Sequence, residues 1–350
     1  MPVVWSDDCL LHGGDAGTWL GVQVEGDEVP DRALRIRAAL EEAGAPVIEA
    51  DHHADATLLA VHDPGLVAFL RTAYTDWVGA GYLDDPGQPQ VVGYLFPTAG
   101  LLAGVEPFAA ASPSARTGQW AFDTLTPIGP GTWPAVRAAV DCALTAAELV
   151  AGGEQVAYAC TRPPGHHATR SAYGGSCYLN NAAIAGERLR ELGAERVALL
   201  DVDAHHGNGA QAIFWERSDV RTGSVHVDPR AGWFPHVLGG PEERGAGAGE
   251  GANVNLVLAP GTGDEGWLEA VTELVRWAGP VDALVVALGV DAAAADPESP
   301  LLVTESGYRE AGRLLGALDV PTVVVQEGGY ELGSVGSLVR ATIEGLLDVS

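Results

Sequence analysis

The chain has 350 residues, 47% of them hydrophobic, which is ample for a sizeable core and argues against disorder. Against 47 acidic residues stand 19 basic ones, all arginine, so the formal net charge is −28. Such a surface repels phosphate backbones and anionic membranes and favours cationic ligands, which excludes nucleic acid and membrane as partners.

The opening residues, MPVVWSDDCLLHGG, carry neither a basic region nor a long apolar stretch, and no later run is long enough to span a bilayer. Neither export nor an anchor is expected. Cys9, Cys142, Cys160 and Cys177 are scattered without C-x-x-C spacing, so no disulfide framework or thiolate zinc knot is indicated, and a cytoplasmic location fits.

Short apolar runs then alternate with helical patterns. Val3-Val4-Trp5 is followed by a helix over 30–43, the run Val47-Ile48, an apolar run over 56–60, and a helix from about 63 to 77. Between 79 and 131 the regularity lapses into Pro, Gly and small residues; a stretch of that length inside a compact fold predicts a lid or a dimer contact. A helix over 132–151, a strand over 156–160, a loop over 161–176 and a helix near 181–192 come next. Strands at 197–200, 222–226, 252–258, 283–289 and 322–326 complete the pattern, with helices between the later ones. The alternation predicts a single α/β domain over 1–350, with a mostly parallel central sheet flanked by helices in three layers.

The segment DVDAHHGNG, residues 201–209, directly follows the apolar run 197–200. Open α/β sheets place their chemistry at the C-terminal ends of strands, and residues two apart in an extended segment point to one side. Asp203 and His205 can therefore grip one metal ion. Taken alone, D-x-H also fits a buried pair satisfying backbone groups. A second apolar strand delivers Asp291 in LGVDAAAADPESP, and if the two strand ends meet, Asp203, His205 and Asp291 make a three-ligand site with a position left open, the arrangement of a catalytic metal. Two carboxylates and one imidazole suit Zn(II); Fe(II) and Mn(II) suit the same ligand softness.

RPPGHHA places His166 and His167 in a Pro/Gly-stiffened loop after another strand, where an imidazole could deprotonate a bound water. Asp201 and Asn208 are candidates to stand behind the two rings. The last strand runs into QEGGY, whose glycines let Tyr330 swing over the site to donate a hydrogen bond to an oxyanion.

In order, RPPGHHA, GGSCYLNNAAIA, DVDAHHGNG, SVHVDP, LGVDAAAADP and QEGGY resemble the zinc-dependent histone deacetylase superfamily of the arginase-deacetylase fold. GTWPAV, FPHVLG and EGGY resemble its bacterial acetylpolyamine amidohydrolases most, and VHDPGLVAFL is similar to an early family helix. The resemblance implies zinc on Asp203, His205 and Asp291, tandem catalytic histidines His166 and His167, and an oxyanion-binding Tyr330. It implies an acyl tunnel lined by Gly175, Ser176 and Cys177, and a homodimer through 79–131. It also implies a potassium ion on main-chain oxygens of Asp201, Asp203, His205 and Val225 with the side chains of Asp201 and Ser224, and a second potassium on carbonyls near Phe214, Arg217 and Val220.

Some positions depart from the family. Ser176 stands where relatives usually have Phe or Tyr, which predicts a wider or more polar tunnel wall, and Asn208 replaces an aspartate common in class I enzymes. For the polyamine-reading glutamates, Glu106 and Asp123 are the nearest candidates in the long loop.

The reaction implied is hydrolysis of an N-acetyl amide to acetate and a free amine, with His167 as base and acid, His166 orienting water and balancing charge, and Tyr330 holding the oxyanion. The substrate is expected to be an acetylpolyamine or related small acetylated amine; an acetyl-lysine protein or an acetylated secondary metabolite are the alternatives. A ureohydrolase of the arginase type would need a further bridging aspartate where Ala293 stands. A non-catalytic acetyl-ligand binder would have no use for His166, His167 and Tyr330 together.

Overall fold

Strands rich in Val, Ala and Leu, without polar alternation, need cover on both faces. The structure, a computed structural model that describes residues 1–13 and 17–348, supplies it. In chain order the elements are β1 (Val3–Trp5), β2 (Gly17–Trp19), β3 (Val22–Val24), α1 (Pro30–Glu42), β4 (Val47–Glu49), α2 (Ala56–Val61), α3 (Pro64–Gly79), α4 (Ala99–Leu102), α5 (Pro113–Trp120) and α6 (Thr132–Ala151). There follow β5 (Val156–Ala159), α7 (Asn181–Glu191), β6 (Val197–Asp201), α8 (Asn208–Phe214), β7 (Val220–Val227), β8 (Asn253–Leu258), α9 (Asp264–Ala278), β9 (Ala283–Leu288), α10 (Glu305–Gly316), β10 (Thr322–Gln326) and α11 (Val335–Leu347).

Eight strands form one sheet in the order β4-β1-β5-β10-β9-β6-β7-β8, and every neighbouring pair in it is parallel. Because side chains alternate across a strand, each strand feeds two cores. Ala157, Leu199, Val285 and Val323 pack with α3, α6 and α7 on one face, while Tyr158, Ala198, Leu284 and Val324 pack with α1, α9, α10 and α11 on the other. The result is the expected three-layer α/β/α arrangement.

The order of the central strands positions the chemistry. β5, β10, β9 and β6 lie side by side, with Val325 beside Ala159, Gln326 beside Leu288, and Asp201 beside Ala287. Their C-terminal ends therefore open onto one patch.

Two local expectations change. The apolar run over 56–60 is a helix, α2, because Leu58 and Val61 share a buried face at helical spacing. The hairpin of β2 and β3 was not anticipated, since its turn residues Leu20 and Gly21, with φ of 49° and 82°, lack the usual Asn-Gly or Asp-Gly signal. Within 79–131 only α4 and α5 are regular. The end of this segment is fixed to the body, with Phe122 N–H donating to Tyr173 O and Tyr173 N–H to Trp120 O, at 3.0 and 2.8 Å, and Val91 bridges Ile128 within the segment.

Candidate metal centre and active site

Asp203 and His205 leave the end of β6, and Asp291 leaves the end of the adjacent β9. His205 Nδ1 lies 3.2 Å from Asp203 Oδ1 and 2.9 Å from Asp291 Oδ2, and one ligand atom of each residue lies within 4.8 Å of the others. Donors around a tetrahedral zinc ion at about 2.0–2.2 Å sit roughly 3.3 Å apart, so the spacing suits a coordination shell. Both carboxylates are fully buried. Burial, and then the charge of Asp203, push Asp291 up to about 7, as expected of two carboxylates sharing one buried site. Glycine backbone makes room for these oxygens: a Cβ on Gly289 would fall 2.0 Å from Asp203 Oδ2, and one on Gly328 would fall 2.5 Å from it. The three residues fit a divalent metal.

The loop after β5 is held from several sides. Arg162, 1% exposed, donates from Nη1 to Cys9 O and His12 O and from Nη2 to Glu28 O. Glu327 Oε2 accepts the N–H groups of Gly165 and His166 at 2.6 and 3.1 Å, while Gly209 N–H donates to His166 O at 2.9 Å. These contacts present both histidines toward the metal ligands.

His166 Nδ1 sits 2.9 Å from Asp201 Oδ2. Burial opposes its charge, but the carboxylates of Asp203 and Asp201 outweigh it and raise His166 to about 10, which favours the protonated ring. His167 behaves oppositely: burial and the charges of His166 and His205 hold it well below the usual imidazole range. Its Nδ1 lies 2.6 Å from Asn208 Oδ1, and Asn208 Nδ2 donates to His167 O at 3.0 Å, which fixes the amide orientation. An amide oxygen only accepts, so Nδ1 carries the proton and Nε2 keeps a lone pair. Of the pair, His167 is the ring left with a free lone pair.

Tyr330 follows Gly329, whose φ of +120° makes the turn. Its N–H donates to Asp296 Oδ2 at 2.7 Å, and the Arg32 guanidinium lies 4.6 Å above its ring. Arg32 is itself fixed by Glu28 Oε1 at 2.7 Å and Glu327 O at 2.7 Å. Burial pushes the Tyr330 phenol well above its ordinary range, so it stays a donor.

His167, His205 and Tyr330 line a cavity of about 350 Å³. Gly175, Ser176, Trp233 and Phe234 line it as well. Cys177 does not line it. Its side chain is buried behind the wall, where Sγ, a His166 nitrogen and a Glu327 oxygen lie within 4.8 Å of one another, because the strand-like reversal at Gly174–Cys177 turns it inward. The two candidates for reading an amine are also displaced. Glu106 is exposed and away from the cavity, and Asp123 spends its carboxylate on the N–H groups of Gly175, Leu125 and Thr126. The acidic groups that do line the cavity are Glu25, Asp27, Glu28 and Glu298, from the turn before α1 and the loop after Asp291. The run EGDE was the available signal, but nothing in the sequence ties it to the catalytic loops.

Of the residues expected around potassium, Asp201 and Ser224 lie side by side on neighbouring strands, and Phe214 and Arg217 share a turn. Asp201 Oδ1 accepts Asp203 N–H at 3.0 Å, and Ser224, in register beside Asp201, accepts Gly207 N–H at 3.2 Å through Oγ; Val225 follows, fully buried, in β7. Phe214 ends α8, its carbonyl accepts Arg217 N–H at 2.9 Å, and Val220 opens β7.

Comparison with known proteins gives a match over residues 27–346 to the family described as the histone deacetylase domain. The chain is 39% identical over 349 residues to the acetylpolyamine amidohydrolase of Mycoplana ramosa, covering 99% of each, and 40% identical over 340 residues to acetylpolyamine amidohydrolase 1 of Pseudomonas aeruginosa, covering 96% of each. A crystal structure of acetylpolyamine aminohydrolase from Burkholderia pseudomallei superimposes with a TM-score of 0.93 at 39% identity, covering 100% of this chain and 99% of that one.

Proposed function

We propose that this chain, which belongs to the histone deacetylase domain family, hydrolyses the acetyl amide of a small N-acetylated amine to acetate and free amine, with an acetylpolyamine as substrate. One observation carries the substrate reading. The cavity that ends on His167, His205 and Tyr330 is lined, among the described residues, by Glu25, Asp27 and Glu298, by a Glu28 paired with Arg32 and Arg162, and by no Lys or Arg, so an amide whose far end is cationic enters down its own field. The names of the Mycoplana and Pseudomonas relatives support the same class.

Asp203, His205 and Asp291 would hold the metal, for which zinc is our reading from two carboxylates and an imidazole. Bound there, the ion supplies Lewis-acid chemistry, polarising a carbonyl and lowering the pKa of water. His167 Nε2 takes the proton of the attacking water and passes it to the departing amine nitrogen. His166, cationic against Asp201, orients the water and offsets developing negative charge. Tyr330 donates its O–H to the carbonyl oxygen as that oxygen gains charge. Asp201 and Ser224 with the carbonyls of Asp201, Asp203, His205 and Val225, and the carbonyls near Phe214, Arg217 and Val220, are our candidates for bound potassium.

Exposed Tyr94, Leu101, Val105 and Phe108 within 79–131 support reading that segment as a homodimer contact. Among the described residues no helix is long and apolar enough to cross a membrane.

The test is acetate release from acetylputrescine, acetylspermidine and an acetyl-lysine peptide, with and without chelator. Chelator-sensitive release that favours the amines is the expected result. Release from the peptide alone, or release that survives full metal removal, would refute the reading.

A further inference from the structure

Resting on the reading of the site as an amine deacetylase, we propose that the wall beside the catalytic base recognises a protonated secondary amine within the substrate chain, so that N-acetylated triamines are preferred over N-acetylated diamines of the same length. Ser176 is the residue that determines this.

The slot above His167 has unlike walls. On one side Phe234 packs edge-on to His167, with ring centroids 4.7 Å apart. On the other are Gly175 and Ser176, both with left-handed backbone, φ 60° and 62°. The two segments approach closely: a Cβ on Gly175 would fall 2.4 Å from His167 Cδ2 and 2.9 Å from Phe234 Cε1. Gly175, His167 and Phe234 thus meet at the base of the cavity, and a chain attached to the scissile amide nitrogen leaves past Ser176 and Phe234, which both line it.

That wall is rigid. Gly175 N–H donates to Asp123 Oδ2 at 2.5 Å, and Ser176 N–H donates to Thr126 Oγ1 at 2.9 Å, while Tyr178 O–H donates to Pro127 O at 2.5 Å. The Ser176 hydroxyl has no hydrogen-bond partner among the described residues, although the residue lines the cavity. A fixed backbone thus presents an uncommitted acceptor opposite an aromatic ring.

A slot walled by two rings would suit methylenes alone, because an ammonium placed there would lose its hydration for little return. Here an ammonium N–H can donate to Ser176 Oγ while its charge faces the Phe234 ring, an attraction that strengthens as the group is desolvated. Farther out, Asp27 and Glu298 remain for a terminal ammonium. Next to them Glu28 is already paired with Arg32 and Arg162 and adds no free charge. The cavity therefore offers two separated stations for positive charge, one beside the reacting amide and one at the mouth. A diamine of the same overall length fills only the second and leaves the hydroxyl unpaired.

A matched pair of substrates isolates the inner station. N1-acetylspermidine and N-acetyl-1,8-diaminooctane have equal chain length and the same terminal ammonium, and differ by one secondary ammonium in place of a methylene. The wild-type enzyme is expected to favour the triamine in kcat/KM on the order of tenfold or more. Ser176→Phe and Ser176→Ala are expected to bring that ratio toward one, with folding of each variant verified by Tm; because the readout is a ratio, a general loss of rate cancels. Brisk hydrolysis of both amides at a wild-type ratio near or below one, or a ratio unchanged in both variants, would overturn the inner station alone. Acetate from an acetyl-lysine peptide but from neither amine would overturn the amine reading and the station with it.

Discussion

Replacing Gly328 with alanine tests whether the two carboxylates are held in a metal-binding geometry by backbone contact. Gly328 N–H donates to Asp203 Oδ2 at 2.8 Å, and a Cβ there would fall 2.5 Å from that oxygen and 2.7 Å from Asp291 Oδ2. Ordinary contact begins at 3.4 Å, so the methyl group is too close by about 0.9 and 0.7 Å. The chain has little room to retreat: Gly328 O accepts from Val290 N–H at 3.1 Å and Gln326 Nε2 at 2.9 Å, and Gly329 beyond it would meet Val290 Cγ2 at 2.4 Å if it carried a Cβ. The carboxylates must then move by most of an ångström, several times the roughly 0.2 Å that a ligand set tolerates. Gly328→Ala should weaken metal affinity by about 100-fold or more, with acetate release falling in step. Overpacking should cost about 1–3 kcal/mol of stability besides. The assay is metal content per chain after dialysis against graded chelator-buffered zinc, read beside Tm. Gly186→Ala is the control, since a Cβ there meets only Val197 and Val285 methyls at 3.9 Å within α7. Full metal content and near-wild-type turnover in Gly328→Ala would refute the reasoning.

Asn208→Asp puts a carboxylate against His167 Nδ1, now 2.6 Å from the amide oxygen, and so favours the protonated ring. Unit charges about 4 Å apart at an effective dielectric near 20 interact by about 4 kcal/mol, and burial of the new carboxylate offsets part of that, so the acid limb of the kcat/KM profile should rise by roughly one to two pH units. An unmoved limb would contradict the assignment of His167 as base. Tyr330→Phe should leave metal content intact and lower kcat by on the order of 10²-fold or more, and a near-wild-type rate would remove the phenol from the mechanism. Phe108, 88% exposed, belongs to the proposed subunit contact; Phe108→Asp should convert a dimer to a monomer by light scattering, and a monomeric wild-type chain would dispose of that contact.

What could be read from the sequence was what adjacent residues decide. The apolar run Val197–Leu200 followed by D-x-H fixes a strand and the side on which Asp203 and His205 emerge, because both facts follow from a two-residue period. The same holds for the end of β9 at Asp291. That the two ends meet depends on β6 pairing with β9 rather than with β5, its predecessor among the long strands, and no local pattern states a strand order. The amine-reading residues show the limit more sharply. Asp123 looked eligible as a carboxylate in the long loop, yet three backbone N–H groups consume it, and a loop's need for acceptors is invisible until its turns are known. Glu25, Asp27 and Glu28 were hidden for the complementary reason. They belong to a turn that earns its place only through Arg32 and Arg162, which tie it to Glu327 O and to the catalytic loop more than a hundred residues away. The proposed metal ligands are thus set by local chain geometry, whereas the side chains proposed to read the amine are held in place through buried arginines. A change at Glu28 or Arg162 should therefore disturb recognition of the amine well before it disturbs the affinity for metal.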